Sequence, residues 1–79
     1  MIRHLSAEEL RELARAGASF GMDCRIFELD TVRDIIRALC PGAILTLYRT
    51  RALSVEQIIY LVRAKPGQVV LEPDGPPAS

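Results

Sequence analysis

The stretch Leu5-Ser6-Ala7-Glu8-Glu9-Leu10-Arg11-Glu12-Leu13-Ala14-Arg15-Ala16 returns later in the chain as Leu53-Ser54-Val55-Glu56-Gln57-Ile58-Ile59-Tyr60-Leu61-Val62-Arg63-Ala64. Leu, Ser, Glu, Leu, Arg and Ala recur in register, and Ile58 stands conservatively for Leu10. Between the two copies lies Leu29-Asp30-Thr31-Val32-Arg33-Asp34-Ile35-Ile36-Arg37-Ala38-Leu39, whose Leu-Asp opening matches Leu-Ser in the others. Each segment then reaches a glycine and an apolar run, so the chain reads as three units of roughly 24 residues, each a helix followed by a strand.

Local chemistry supports that reading. Ser6, Asp30 and Ser54 are expected N-caps, because their side-chain oxygens can accept from free amides of the first helical turn. Ser6 with Glu9, and Ser54 with Gln57, have capping-box spacing. Leu10, Leu13 and Ala14 form an i, i+3, i+4 stripe, and Val32, Ile35, Ile36 and Leu39 form another. The third helix, with Val55, Ile58, Ile59, Leu61 and Val62, is apolar on two sides. Gly17, Gly42 and Gly67 fall just past the helices, where a left-handed cap favours a residue without a Cβ, and Pro41 and Pro66 forbid helix continuation before two of them.

The expected strands are Cys24-Arg25-Ile26-Phe27-Glu28-Leu29, Ala43-Ile44-Leu45-Thr46-Leu47-Tyr48 and Gln68-Val69-Val70-Leu71-Glu72. They are apolar at consecutive positions and joined through helices, which points to parallel pairing. The fold class is therefore α/β: αβαβαβ with a small three-stranded parallel sheet and right-handed crossovers. Residues 1–72 make the single domain, and residues 73–79, rich in Pro and Gly, make a flexible tail. If all helices cover one sheet face, the other face is left bare. Phe27, Leu45, Leu47 and Val70 are the candidate interface there, although the pleat alone leaves open whether they face the bare side or the helices; an exposed apolar sheet face marks a contact surface, whereas helices split across both faces would cover the sheet thinly.

The chain has 79 residues, 49% hydrophobic, with ten Lys+Arg against ten Asp+Glu and no net charge. That is one small domain, too apolar for disorder and without the basic excess of a generic nucleic-acid binder. Charged residues interrupt every window long enough to cross a membrane, and acids stand near the N-terminus where a signal peptide needs its apolar stretch. The expected location is cytoplasmic, with no membrane partner. Cys24 and Cys40 are too few and too far apart for a disulfide framework.

Most candidate sites have a plain structural explanation beside the functional one. Cys40 at a helix C-terminus is poorly placed to form a thiolate, and Cys24 reads as a small hydrophobe. His4 is the single histidine, and one His with two separated Cys assembles neither a zinc site nor a triad. Glu8, Glu9 and Glu12 complement a helix dipole, and Arg33 and Arg37 have Asp30 and Asp34 as neutralising neighbours. The best anion site is the strand-to-helix junction, where Arg49, Thr50, Arg51 and Ser54 gather guanidinium groups, hydroxyls and free amides beyond the end of a parallel strand. A solvated, capped turn is the competing explanation. Only Tyr48 supplies an aromatic near Arg49, which disfavours nucleic acid as a partner.

The sequence points first to a non-enzymatic protein-interaction or assembly module, assembling through its sheet face or one of two open strand edges, with the chain itself (a homodimer) or another protein as partner and no cofactor. The alternative is a small anion- or nucleotide-binding domain using the 49–54 junction. No acid, base or nucleophile set supports an enzyme.

Overall fold

A computed structural model describes residues 5–76. The order is α1 (Ala7–Arg15), β1 (Phe20–Asp23), α2 (Leu29–Arg37), β2 (Leu45–Tyr48), a 3-10 turn (Thr50–Ala52), α3 (Val55–Val62) and β3 (Val69–Leu71). The strands pair in parallel in the order β1-β2-β3. This is the α/β arrangement of three helix–strand units expected from the repeat. Gly17, Gly42 and Gly67 have φ of 97°, 87° and 84° and mark the same point in each unit.

The helices begin where the sequence provides caps, with one exception. Ser6 and Ser54 each form a complete capping box, with Glu9 and Gln57 respectively. Asp30 is not a cap: α2 begins two residues earlier, Glu28 occupies the N-cap position without a side-chain bond, and the Asp30 carboxylate instead accepts from the Tyr60 hydroxyl at 2.6 Å.

The first strand also departs from expectation. It runs over Phe20–Asp23 rather than 24–29. Asp23 ends it: its carboxylate accepts from the Arg25 amide at 2.9 Å and its carbonyl from the Ile26 amide at 3.3 Å, which turns the chain out of the sheet. Ile26 is consequently exposed in that turn, while Phe27 packs partly buried against the core.

Helix α1 packs on α2 and α2 on α3. A single core joins Leu10 and Ala14 of α1, Val32, Ile35 and Ile36 of α2 and Leu61 of α3 to Met22, Leu45 and Leu47 of the sheet. One helical layer thus covers one sheet face. The register places Met22, Leu47 and Leu71 in line on that face, and Gly21, Thr46 and Val70 in line on the other. Leu45 and Leu47 are therefore core residues, fully buried, and do not belong to an exposed interface; of the four residues expected there, Val70 alone stands exposed. The uncovered face is closed locally by Tyr48, whose ring lies over Gly21 so closely that a Cβ at Gly21 would approach Cε2 to 2.6 Å.

Candidate functional site

The 49–54 junction lies past the C-terminal end of β2. Arg49 adopts φ 61°, ψ 38°, the one non-glycine residue with positive φ among the described residues. That conformation costs about 1–2 kcal/mol for a side chain with a Cβ and persists because neighbours hold it from both sides. On one side the Arg49 guanidinium Nε meets Asp23 Oδ2 at 2.8 Å, and the Cys24 thiol donates to the Arg49 carbonyl at 3.4 Å. On the other, the Arg49 amide donates to the Asp74 carbonyl at 2.9 Å, and both the amide and the hydroxyl of Thr50 donate to the Glu72 carbonyl at 3.1 Å. The start of the segment expected as a free tail is thus part of the fold: Asp74 also pairs with Arg51 at 3.0 Å, and the Arg49 guanidinium packs against Gly75. Residues 77–79 of that segment lie outside the described residues.

Asp23 is the centre of this arrangement. It is buried and takes both Arg25 and Arg49 as partners, at 3.1 and 2.8 Å. Burial alone would raise its carboxyl, but the side-chain and backbone hydrogen bonds from Arg25, with the charges of Arg25 and Arg49, outweigh burial and hold it below its ordinary value. Beside it, burial and the Asp23 charge push the Cys24 thiol up, away from nucleophilic character. Cys40 donates to the Arg15 carbonyl at 3.1 Å, and both cysteines are free.

Every group expected to bind an anion therefore has a partner within the chain. Arg49 faces Asp23 and Arg51 faces Asp74. Thr50 is buried with its hydroxyl committed to Glu72, and Ser54 Oγ accepts from the Gln57 amide. What remains is an open groove lined by Arg25, Arg49, Arg51, Ala52 and the 73–75 segment. An incoming anion would compete with two carboxylates already seated.

No family model, curated protein or solved structure matches the chain.

A second groove, of about 650 Å³, runs between α2 and α3 over Arg33, Arg37, Ile59, Tyr60, Arg63 and Ala64, with Glu56 at its margin. Arg33 stacks 5.1 Å from the centroid of the Tyr60 ring and donates to its hydroxyl at 2.7 Å, and that hydroxyl donates on to Asp30. The relay ties two helices across their outer surface. Neither Asp23 nor Tyr60 stood out in the sequence, because an isolated Asp before a Cys and a Tyr in an apolar helix carry no spacing signal of their partners.

Among the described residues no group of three or more His, Cys, Asp or Glu is placed to hold a metal, and no helix is long and apolar enough to cross a membrane. His4 lies outside the described residues.

One further surface remains. Of the five large hydrophobic residues that stand exposed among the described residues, four, Val55, Ile59, Val70 and Leu71, belong to α3 and β3; the fifth is Ile26. Tyr60 and Ala64 turn toward α2. By helical periodicity Val55, Ile58 and Val62 then form a stripe on the opposite flank, where a fourth helix would lie if the layer continued.

Proposed function

We propose that the protein is a non-enzymatic assembly module that docks a second copy of itself through the open flank of its third unit. The observation that carries this reading is the apolar flank of α3 turned away from α2, where Val55 is 68% exposed with Ile58 and Val62 half-buried beside it. In a layered repeat each unit buries its apolar side against the next, and a flank that faces water needs a polar surface. The third unit has none along Val55, Ile58 and Val62. A chain this short also buries a modest core and gains stability from association. The anion-binding alternative has weaker support, since Arg49 and Arg51 already face carboxylates.

The test is sedimentation equilibrium on the wild type and on Val55→Glu. Wild type is expected to approach twice the chain mass at high concentration and return to one chain on dilution. Val55→Glu is expected to stay at one chain mass with an unchanged far-UV circular dichroism spectrum. A wild type that remains a single chain up to its solubility limit refutes the proposal.

A further inference from the structure

We infer that the second copy joins antiparallel, β3 against β3, on a twofold axis through Val70, so that the assembly closes as a dimer instead of growing as a filament. This rests on the docking flank proposed above and adds its symmetry and register.

The hydrogen-bonding edge of β3 fixes the register. The Gln68 carbonyl accepts from the Leu45 amide at 2.9 Å and the Glu72 amide donates to the Leu47 carbonyl at 2.8 Å, so residues 68 and 72 turn their backbone toward β2. Alternation along a parallel strand then turns the amides and carbonyls of Val69 and Leu71 outward. Prolines 66 and 73 bracket this edge and carry no N–H. An antiparallel partner with Leu71 opposite its own copy sets Val69 against Pro73, which cannot donate. A partner with Val69 opposite its own copy sets Leu71 against Gly67, which lies in a left-handed turn at φ 84° outside the strand. Val69 opposite Leu71 satisfies the outward groups of both copies. It places Val70 against Val70 across the axis and Glu72 against Gln68, so no like charges face one another.

The helical layer favours the same symmetry. A twofold perpendicular to the sheet lays α3 beside its copy, bringing the Val55, Ile58 and Val62 stripe against itself. A head-to-tail arrangement lays that stripe on the free flank of α1, where Glu9 and Glu12 lie with Leu5 and Leu13. It would draw two carboxylates toward Val55, Ile58 and Val62, none of which carries a charge to pair with them, which is costly. An isologous contact closes, whereas the head-to-tail contact leaves ends open.

The experiment is oxidative cross-linking of Val70→Cys in a Cys40→Ala background, with Ile26→Cys in the same background as the exposed control. Residues paired across the axis see an effective concentration in the millimolar range, so Val70→Cys should form a covalent dimer about tenfold or more faster than the control. Val55→Glu should abolish the difference. Amide exchange on the unmodified protein gives a second readout: the Val69 and Leu71 amides should slow at high concentration and speed up on dilution. A protein that sediments as a dimer but shows neither the faster cross-link nor the protection overturns the register and leaves the docking flank standing. Oligomers that grow beyond the dimer overturn closure. A protein that never leaves the single-chain mass overturns both.

Discussion

Replacing Leu47 by alanine tests whether the covered sheet face is the core. Leu47 is fully buried in the central strand, in line with Met22 on one neighbour and Leu71 on the other, beneath the helical layer. A Leu→Ala change at such a site removes transfer energy and leaves a cavity, together about 2–5 kcal/mol. A central strand flanked on both edges collapses poorly, so about 3 kcal/mol is expected here. A domain of this length has a total stability of about 4–12 kcal/mol, so the loss is a large share of what holds it folded. With a urea dependence of about 1 kcal/mol per molar for a small protein, the unfolding midpoint should fall by about 3 M. Val70→Ala, on the uncovered face, should cost less than about 1 kcal/mol. Both are measured by urea unfolding followed by far-UV circular dichroism, at concentrations low enough that association contributes nothing. Equal midpoint shifts for the two variants, or a shift for Leu47→Ala within about 0.5 kcal/mol of zero, would refute the assignment of Leu47 to the core.

Two further outcomes follow from the sheet's upper end and its uncovered face. Asp23→Asn should destabilise the chain by about 1–2 kcal/mol at neutral pH, a modest loss because Arg25 and Arg49 are 55% and 46% exposed and rehydrate readily. Because the Asp23 carboxyl is held below 3.8, its contribution is complete above that value and lost as pH falls through the lower folded value; unfolding midpoints of wild type and Asp23→Asn should therefore converge only in that acid range, and convergence already near neutrality would show that the ion pairs are not responsible. Gly21→Val should destabilise the wild type by about 1 kcal/mol, because its Cβ displaces the Tyr48 ring, yet stabilise a Tyr48→Ala background, where only the strand preference of valine remains. The same sign in both backgrounds, in a double-mutant cycle of thermal midpoints, would remove Tyr48 as the reason for glycine at this position.

The parts of the fold that were legible in the sequence are those set by local chemistry. The capping boxes at Ser6 and Ser54 need only residues three apart, and the Val32, Ile35, Ile36 and Leu39 stripe needs only helical periodicity. Asp30 misled because it offers the same capping chemistry as Ser6, and its carboxylate is drawn instead to Tyr60, thirty residues away. The first strand misled because Ile26 and Phe27 look like strand residues and Gly21 does not. Gly21 is in the strand because the Tyr48 ring requires the space. The expected anion site gains partners for a related reason: the residues are where the sequence put them, but the carboxylates that pair with them, Asp23 and Asp74, come from other units.

The misplacement of Leu45, Leu47 and Val70 on a common face has the most consequence, and a single residue accounts for it. Two residues separate Gly17 from Phe20 and Gly42 from Leu45, whereas one residue, Gln68, separates Gly67 from Val69. The register accordingly pairs Phe20 with Leu45 but Leu45 with Val69, where a faithful third copy would have paired it with Val70. Because side chains alternate along a strand, that shortening moves Val69 under the helices and turns Val70 out. Gln68 makes the shortened entry rigid by donating to the Cys40 and Ala43 carbonyls at 2.7 and 2.9 Å, which anchors β3 to the preceding unit at the point where the spacing changes. The last strand therefore presents a valine outward at its midpoint, between two outward-facing backbone positions and inside two prolines. An unshortened repeat would not have produced that edge.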